Sequence, residues 1–535
     1  MVLQKCHGPE GSIPTLVLTR STGGGISEGI GALVCGNVDG GAEYEGSERV
    51  GMHFSFGARM NRISRRELLK RGGACVGALA IPSIIPAAAR GAAGVLAPSD
   101  RVNVGLIGRG LMGNGHLHRL TGDRSFQVMA VCDVDPIRRE EGRAYVNATY
   151  AADRASGTYS GCAGYNDYRD LLARPDIDAV VIVTPDHWHS LQSIDAAMAG
   201  KDVYCEKPIS VTISEGRQLA QAMRRYMRVF QTGTQYRSIP AIRRVCRFVR
   251  GGGLGKIKSV FTLLDPLNGF IRQERFRPYF AFIDPDKNGA SYAPLDFHLP
   301  AEEPPAGLDW QMWVGPAPWH PYNKLFHINP SPGVVPWSFC DAFGVAALTW
   351  HLAHSADVIQ YAIGMEESGP VELIHPSAGV YPTLTCRYAN GTLLHFVDHW
   401  GIVRDVYKAV PKNARLAGNF GGIFVGERGW VTSMSTGGPV EGSPEEIFRE
   451  MGMASREVVI GANDHHANWL SCIHSRKRTS CDEEIGHRSA SLGHLAMICY
   501  TLRRSLKWDP VKEEFIGDEA ANRLRGRALR EPWQM

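Results

Sequence analysis

The sequence predicts an α/β fold with a parallel sheet, and three observations support this fold class. A short apolar segment, Val102 to Ile107, has the character of a buried strand and runs directly into a glycine-rich turn that opens a helix. Strand-like and helix-like segments then alternate as far as Cys205, the order that produces parallel strands joined by crossover helices. The chain has 535 residues, of which 44% are hydrophobic, enough for a full core and for two or three domains.

Composition and charge exclude several other classes of protein. Lysine and arginine together number 58, and aspartate and glutamate 54, so there is no strongly basic surface of the kind that binds nucleic acid. The 12 cysteines include no C-x-x-C pair, which argues against a zinc ribbon and against a disulfide scaffold. Cys472 and Cys481 could form a disulfide if the protein is exported.

The first hundred residues are predicted to lie outside the fold. Residues 1–59 are rich in glycine and serine without a sustained apolar period, which indicates either a disordered extension or upstream sequence included by a misassigned start. Ser64 to Lys70 then has the form of a twin-arginine export signal, followed by an apolar run from Ala74 to Ala89. Pro82 and Pro86 argue against a membrane-spanning helix. The sequence therefore predicts a periplasmic or other extracytoplasmic location, reached through the twin-arginine export machinery.

The glycine-rich turn has the spacing of a dinucleotide-binding site. Gly108 permits a tight turn after the first strand, and Gly110 lets a pyrophosphate approach the backbone at the positive end of the helix. Gly113 lets the helix pack closely against the strand. The turn lies between a strand and a helix, which is the context that such a site requires.

A carboxylate at the end of the second strand indicates which dinucleotide would bind. Asp133 lies twenty residues after Gly113, where it can accept a hydrogen bond from the ribose 2′-hydroxyl and would repel a 2′-phosphate. NAD is therefore favoured over NADP. Arg138 and Arg139, close behind, leave NADP as the alternative.

A lysine occupies the same edge of the predicted sheet. Val203 to Cys205 is the end of a buried strand, and Glu206, Lys207 and Pro208 follow at once. Open α/β sheets bind ligands at the carboxyl ends of their strands. Lys207 is therefore either a solvated residue beside a turn or a lysine held over a cofactor, and the glycine turn upstream favours the cofactor.

With these motifs the chain resembles the Gfo/Idh/MocA family, the group of glucose-fructose oxidoreductase and inositol dehydrogenase, from about Val102 to the C-terminus. Beyond the glycine turn and Asp133, the resemblance rests on "TPDHWH" (Thr184 to His189), "AGKDVYCEKP" (Ala199 to Pro208) and "GTQYRS" (Gly233 to Ser238). Three further segments resemble the long, twin-arginine-exported members: "GLDWQMWVGPAPWHPYN" (Gly307 to Asn323), "EIGHRSASLGHL" (Glu484 to Leu495) and "KWDPVKEEFIGDEAANRL" (Lys507 to Leu524).

The resemblance implies a fold and an activity. It implies an N-terminal Rossmann domain and a C-terminal α+β domain built on a large open antiparallel sheet. One face of that sheet would close the substrate site and the outer face would form the interface of a dimer or tetramer. The implied activity is NAD(P)-dependent oxidation of a CH–OH group in a small carbohydrate.

The resemblance also implies roles for individual residues. Lys207 would be the catalytic lysine, assisted by His354, while Glu206 would orient the cofactor and Pro208 would be cis. The implied cofactor-binding residues are Gly108, Arg109, Gly110, Leu111, Met112, Gly113, Asp133, Thr184, Pro185, His189, Glu206, Lys207 and Gln235. The implied substrate-binding residues are Lys207, Arg237, His354, Asp357 and His465.

One segment departs from the family pattern. With Asp357 aligned, the family histidine falls on His354, but the family's first aspartate falls on Trp350. Three interpretations follow: His354 acts with Lys207 alone, a carboxylate such as Asp341 replaces the missing one, or the site binds a sugar without turning it over. Helical spacing would also allow a metal ion on His351, His354 and Asp357, but the family needs none there and no metal is predicted.

Some further residues carry two interpretations each. His465 and Asn468 are candidates for sugar contacts, but Asp464, His465 and His466 also suit the start of a helix, with Asp464 as its N-cap. Aromatic faces suit sugar rings, yet a tryptophan cluster is more often part of a core. That cluster consists of Trp310, Trp313 and Trp319.

The leading hypothesis is an exported NAD-dependent oxidoreductase of a sugar, sugar derivative or polyol. One alternative is a glycoside hydrolase or lyase that uses bound NAD for transient oxidation. The other is a catalytically weak protein that binds a sugar or a partner. The predicted boundaries are an extension at 1–59, a signal region at 60–98, a Rossmann domain at 99–230, a substrate and oligomerisation domain at 231–505 and a C-terminal arm at 506–535.

Overall fold

The fold is known from a computed structural model, which describes residues 100–264, 294–329, 335–418, 421–434, 438–461 and 464–535. The predicted extension and export signal, residues 1–59 and 60–98, lie outside the described residues. Among the described residues, no helix combines the length and apolar character needed to span a membrane.

The N-terminal half is built on a six-stranded parallel sheet with the strand order β3-β2-β1-β4-β5-β6. β1 and β4 lie side by side at the centre. From there the strand order runs outward in both directions, and the helices between strands form the crossovers. The strands are β1 (Val102–Ile107), β2 (Phe126–Cys132), β3 (Ala163–Tyr165), β4 (Ala179–Ile182), β5 (Asp202–Cys205) and β6 (Phe230–Thr232). The predicted parallel sheet is confirmed.

Helices cover this sheet, so its central strands are buried on both faces. All four residues of β4 and of β5 are buried, as expected for apolar parallel strands. The helices are α1 (Leu111–Gly122), α2 (Pro136–Thr149), α3 (Ala151–Ala155), α4 (Tyr168–Leu172), α5 (Asp186–Met198) and α6 (Ile213–Arg225). Local sequence sets where they begin: Asp135 accepts from the first N–H groups of α2, and Pro136 starts that helix.

The C-terminal half is built on a nine-stranded sheet with the order β13-β12-β11-β7-β10-β9-β8-β14-β15. Its strands are β7 (Ile257–Leu263), β8 (Glu372–Ile374), β9 (Thr385–Arg387), β10 (Leu393–Val397), β11 (Gly421–Gly426), β12 (Trp430–Met434), β13 (Gly442–Ser443), β14 (Leu506–Asp509) and β15 (Glu514–Phe515). The large open sheet is confirmed, with one difference from the expectation: β7 and β10 pair in parallel. A parallel pair needs a crossover connection, and the long chain between these two strands supplies it.

Helices pack on one face of the second sheet and link it to the first. The C-terminal half contains α7 (Pro240–Arg250), α8 (Trp310–Val314), α9 (Lys324–His327), α10 (Ala353–Ile363), α11 (Gly401–Asp405), α12 (Glu446–Met451), α13 (His465–Ser475), α14 (Glu483–Leu502) and α15 (Glu519–Arg523). A π-helical turn, Leu348–Leu352, leads directly into α10. The long α14 contacts α10 on one side and α6 on the other, so both halves of the molecule share its surface.

The last thirty residues begin as part of the second sheet. Leu506 and Lys507 pair with β8, and β15 extends the same edge. The chain then returns to the Rossmann half, where Trp533 meets Trp188 edge-on at a ring distance of 4.8 Å. The nine described cysteines are unpaired, including Cys472 and Cys481, so the disulfide considered from the sequence is not formed in this structure.

Candidate functional site

A cavity of about 370 Å³ lies between the carboxyl end of the parallel sheet and the segment of residues 310–350. Its floor is formed where β1, β2, β4 and β5 end, at Ile107, Cys132, Val183 and Glu206. Its volume falls in the usual range for small-molecule sites. The cavity therefore lies at the edge of the sheet that the positional rule for α/β folds indicates.

The glycine turn forms a cradle at one end of this cavity. Gly108 has φ +89°, and a side chain there would lie 2.7 Å from the carbonyl oxygen of Val183. A side chain at Gly113 would lie 2.1 Å from the carbonyl oxygen of Gly108, whereas at Gly110 it would meet nothing within 4 Å. The turn is thus closed against the sheet and open toward the cavity at Gly110, the N-cap of α1. This fits a pyrophosphate at the helix N-terminus.

Asp133 lines the cavity beyond the cradle, at the end of β2. One carboxylate oxygen accepts from the backbone N–H of Arg109 at 2.7 Å, and the other from that of Asp135 at 2.9 Å. Burial raises the pKa of Asp133, and these backbone hydrogen bonds oppose the rise. A carboxylate anchored in this way is well placed to accept from a ribose hydroxyl, as predicted.

Arg138 and Arg139, the two arginines that left NADP as the alternative cofactor, both interact with other protein groups. Arg138 donates to the carbonyl oxygen of His327 at 2.8 Å and lies 3.5 Å from the Asp135 carboxylate. Arg139 donates to the carbonyl oxygen of Asp133 at 2.7 Å. Arg138 also lines the cavity beside Asp133, but both guanidinium groups are engaged by protein oxygens, which favours NAD over NADP.

The motif Thr184 to His189 forms the next part of the wall. Thr184, Pro185 and His189 all line the cavity. The His189 ring nitrogens lie 2.7 Å from the carbonyl oxygen of Pro208 and 2.8 Å from that of Thr184. His189 therefore ties the start of α5 to the turn after β5, where the Lys207–Pro208 peptide bond is cis.

Glu206 is a buried carboxylate on the cavity floor. It lies 2.9 Å from the His116 ring and accepts from the Gln235 side chain at 2.8 Å and from the backbone N–H of Lys207 at 3.2 Å. Burial alone would raise its pKa, but His116 and the charge of Lys207 outweigh burial and bring the pKa to about 2. Glu206 is therefore a fixed negative charge. Gln235, predicted to bind the cofactor, reaches the site only through Glu206.

Lys207 reaches the cavity from the end of β5. Its Nζ donates to the carbonyl oxygen of Thr349 at 2.6 Å, and both residues line the cavity. Thr349 belongs to the π-helical turn, a feature that is frequent at functional sites. The lysine is thus held by the C-terminal half while it faces the same cavity as the glycine cradle.

His354, the predicted partner of Lys207, is not among the described residues that line the cavity. Its ring is buried and lies edge-on against Tyr236 at 4.6 Å. Burial, with Lys207 next, lowers its pKa well below the ordinary value, so the imidazole is neutral. A direct role in proton transfer stays a prediction for this histidine.

Arg237 and Asp357, predicted to contact substrate, are instead buried against each other. Two nitrogens of Arg237 donate to the two oxygens of Asp357, each at 2.7 Å, and Glu366 accepts from the same guanidinium at 2.8 Å. The two side chains are only 4% and 0% exposed. The prediction is wrong for this structure, because the pair satisfies itself inside the protein and neither residue is on the described cavity wall.

His465 is also an interior residue rather than a sugar contact. Its ring lies 2.8 Å from the hydroxyl of Ser238 and 2.7 Å from the carbonyl oxygen of Thr232. Asp464 is the N-cap residue of α13 by position, but its side chain makes no capping hydrogen bond and pairs with Arg243 at 3.4 Å. The predicted helix start at His465 is therefore confirmed, with Asp464 in the N-cap position but without a side-chain cap.

Helical spacing would allow a metal ion on His351, His354 and Asp357, but in the structure the Asp357 carboxylate is bound by Arg237. The part of the chain that the structure describes contains no group of three or more His, Cys, Asp or Glu side chains arranged to hold a metal ion.

Aromatic side chains from residues 310–350 form the wall opposite the glycine turn. Trp313, Trp337 and Trp350 line the cavity. The indole N–H of Trp350 donates to the hydroxyl of Ser338 at 2.8 Å, so its polar atom is directed at the protein. Trp310 stacks behind Trp313 at 4.5 Å and belongs to the core.

Trp319, which was considered for sugar stacking, is 47% exposed and lies off this cavity.

Several residues of the cavity wall were not predicted from the sequence. Asp186 could have been found, because it follows the end of β4 just as Lys207 follows the end of β5. Six other unpredicted wall residues, all from the opposite wall, offered no comparable local signal: Met312, Phe326, His327, Asn329, Trp337 and Thr349.

Comparison with known proteins agrees with this architecture. Residues 102–234 match the model of an oxidoreductase family described as an NAD-binding Rossmann fold. Residues 455–535 match the model of the C-terminal alpha/beta domain of the same family. The intervening residues, which include the π-helical turn and the aromatic wall, belong to neither match.

Curated relatives match over about a third of this chain. A glycosyl hydrolase family 109 protein of Shewanella pealeana is 32% identical over 176 residues, covering 31% of this chain and 38% of the relative. A levoglucosan dehydrogenase of Pseudarthrobacter phenanthrenivorans is 32% identical over 160 residues, covering 30% of this chain and 40% of the relative. The chain thus spans about two fifths of the length of these relatives.

A solved structure gives a broader but weaker match. The aldose-aldose oxidoreductase from Caulobacter crescentus has a TM-score of 0.47 and 15% identity, covering 76% of this chain and 99% of that one. A score at this level supports no argument about function. The two matched ranges, residues 102–234 and 455–535, are therefore the N-terminal and C-terminal domains of the Gfo/Idh/MocA oxidoreductase family.

Proposed function

We propose that the protein is an NAD-dependent oxidoreductase that acts on a CH–OH group of a sugar, sugar derivative or polyol. The observation that carries the proposal is that Lys207 faces the same cavity as the glycine cradle and Asp133. A proton-transferring group and a dinucleotide site are the two components that alcohol oxidation needs. Both belong to one wall, built from the ends of adjacent parallel strands.

Bound NAD would supply the acceptor for the hydride removed from the substrate carbon. The chain's own residues supply the rest. Asp133 and the glycine turn position the dinucleotide, while Thr349 fixes the position of Nζ of Lys207 at 2.6 Å. In its neutral form Lys207 would take the hydroxyl proton as the carbinol is oxidised. His354, neutral and buried, supports this part of the site from behind the wall.

The aromatic wall supports a carbohydrate as the substrate class. Trp313, Trp337 and Trp350 present ring surfaces to the cavity, and flat apolar surfaces suit the C–H face of a sugar ring. The relative named levoglucosan dehydrogenase points to the same class. The third hypothesis, a sugar-binding protein without turnover, loses support because Lys207 remains in place although position 350 is a tryptophan.

Turnover of a defined sugar panel tests the proposal. Purified protein would be mixed with NAD and, one at a time, levoglucosan, aldoses and inositols, and reduced nicotinamide would be followed by absorbance. At least one sugar should give catalytic turnover, and Lys207→Ala should reduce kcat by about 10²–10⁴-fold. Lys258→Ala is a matched control, because Lys258 is an exposed lysine on β7. Failure of every sugar with wild-type protein that binds NAD would contradict the proposal.

A glycoside hydrolase or lyase that recycles NAD is the second candidate function. It is favoured by the relatives named glycosyl hydrolase family 109 protein. The same cavity could serve it, since transient oxidation also needs Lys207 and the cofactor. Release of nitrophenol from nitrophenyl glycosides without net formation of reduced nicotinamide would select this candidate over the dehydrogenase.

Export and assembly are further proposals. The twin-arginine route carries folded proteins, which suits an enzyme that takes up its cofactor before export. Replacing both Arg65 and Arg66 by lysine should leave precursor in the cytoplasm, as cell fractionation would reveal, and continued export would contradict the signal. Assembly into a dimer or tetramer would appear as a discrete oligomer mass in a native mass spectrum, whereas a monomer mass would contradict it.

A further inference from the structure

Position 350 holds a tryptophan where the family pattern has a carboxylate, so any carboxylate that works with Lys207 must come from elsewhere. Three carboxylates are found among the described residues of the cavity wall: Asp133, Asp186 and Glu206. Asp133 is at the predicted ribose end and holds the glycine turn. Glu206 is held by His116 and the Gln235 side chain. Asp186 is the one that remains.

Asp186 is the first residue of α5, directly after the turn that follows β4. It is only 2% exposed, although it lines the cavity. Its place in the first helical turn exposes the carboxylate to the positive end of the helix. The helix end thus offsets part of the cost of holding a negative charge that is shielded from bulk water.

Thr349 links Asp186 to Lys207. The Thr349 hydroxyl accepts from the backbone N–H of Val345 at 2.9 Å and donates its own proton to Oδ2 of Asp186. The carbonyl oxygen of the same threonine accepts from Nζ of Lys207 at 2.6 Å. One residue of the π-helical turn therefore holds the lysine and the carboxylate together.

We propose that Asp186 is the carboxylate partner of Lys207 in this protein, a positioning residue that fixes Thr349 and balances the charge that Lys207 gains. The inference rests on the proposed function and adds to it the residue that replaces the missing family aspartate. Asp341, the candidate considered from the sequence, is exposed and not on the described cavity wall.

The step balances without any further reactant. Bound NAD would accept the hydride, with its electron pair, from the substrate C–H bond, as the carbinol is oxidised to a carbonyl. The hydroxyl proton passes to the neutral amine of Lys207, which becomes an ammonium. Asp186 forms and breaks no bond; its negative charge stabilises that ammonium across Thr349.

Among the described residues, the charged and titratable groups around this pair include Glu206, Cys205, His189 and His354. Burial raises the pKa of Asp186 to about 7, against the Thr349 hydroxyl and the charge of Lys207, which lower it. Asp186 therefore gains its charge within the neutral pH range, and its effect on Lys207 should appear there as pH rises.

A double-mutant cycle on the protein without ligands tests the pairing itself. Thermal unfolding would be measured for wild type, Asp186→Asn, Lys207→Met and the double mutant at pH 8.5 and pH 5.5. At pH 8.5 the changes in Tm should depart from additivity by about 2 °C, and at pH 5.5 the departure should shrink because Asp186 is protonated. Additive changes at both pH values would overturn the proposal.

The matched control is a second double-mutant cycle, in which Asp195→Asn takes the place of Asp186→Asn. Asp195 is a carboxylate on the same helix, off the cavity wall, where it accepts from the Tyr168 hydroxyl at 2.6 Å. Its cycle with Lys207→Met should be additive at both pH values.

Kinetics tests the role in catalysis, with NAD and a sugar of the panel as substrates. Asp186→Asn should lower kcat by about 10²-fold, change KM by less than about threefold, and remove a rate limb near pH 7. Thr349→Val removes the hydroxyl that donates to Asp186 and should resemble Asp186→Asn, whereas Thr349→Ser keeps a hydroxyl and should lose less activity than Thr349→Val. An unchanged kcat and pH profile in Asp186→Asn would overturn the proposal. If wild type oxidises no sugar, the proposed function is contradicted. The double-mutant cycle then still tests the pairing of Asp186 with Lys207, because it needs no substrate.

Discussion

The two walls of the cavity differ in how they are built. The Rossmann wall consists of a glycine turn, Asp133 and Lys207, each placed by the end of a parallel strand. The opposite wall comes from residues 310–329 and 335–350, which include short helices and most of a π-helical turn, and it presents tryptophan rings. The first wall has the features that bind a dinucleotide, and the second has the features that would select a substrate.

This difference shows for which residues of a family pattern a role can be assigned from the sequence alone. Cofactor contacts depend on a strand, a turn and a helix that are adjacent in the chain. The substrate wall depends on how distant segments pack, so a motif residue can keep its place in the sequence and lose its place in the site. Arg237 and Asp357 are the example, since they remain in the chain but pair with each other inside the protein.

The largest expected effect is on stability. It concerns the buried ion pair of Arg237 and Asp357, which tests whether these motif residues have left the substrate wall. Arg237→Ala should destabilise the protein by about 3–5 kcal/mol, because it leaves Asp357 as an uncompensated buried charge. Urea unfolding would measure the loss. Arg250→Ala is the control, because Arg250 also pairs with Glu366 but is half exposed, and exposed pairs contribute at most about 1 kcal/mol. An Arg237→Ala protein of wild-type stability with a raised KM would restore the substrate role.

A smaller effect is expected at the ribose end of the Rossmann wall. Wild type should bind NAD more tightly than NADP, and Asp133→Ala should narrow the preference by about tenfold, since the mutation removes the charge that repels a 2′-phosphate. Calorimetric titration with both dinucleotides measures it. If wild type binds NADP at least as well as NAD, Asp133 is not the reader of the ribose and Arg138 becomes the better candidate.

The smallest effect concerns the pH dependence of folding through Asp186. Its pKa in the folded protein, about 7, is raised above the ordinary value of 3.8. The carboxyl therefore favours the folded state fully below about pH 4, and this contribution is lost as pH rises through 7. Asp186→Asn lacks the titrating group, so its Tm relative to wild type should rise by about 2 °C between pH 5 and pH 8. A difference in Tm that does not change with pH would mean that Asp186 ionises normally.

Sequence reasoning recovered most of the fold and about one wall of the site. The six parallel strands, the cradle from Gly108 to Gly113 and the position of Lys207 follow from local patterns that short-range physics dictates. The parallel pairing of β7 with β10 was missed, because strand order in the second sheet depends on contacts across long stretches of chain. Trp337 and Thr349 were missed for the same reason, as their only signal is tertiary. Asp186 was within reach and was overlooked.

The central claim is that one cavity holds NAD and that Lys207 acts in it on a carbohydrate. A single-turnover experiment tests it most directly: wild type and Lys207→Ala, each loaded with stoichiometric NAD and verified by native mass spectrometry, are mixed with the sugar panel, and reduced nicotinamide is measured. The account predicts that both proteins retain NAD and that only wild type forms reduced nicotinamide at an appreciable rate with at least one sugar. Equal rates of reduction in the two proteins, or loss of NAD binding in Lys207→Ala, would contradict it.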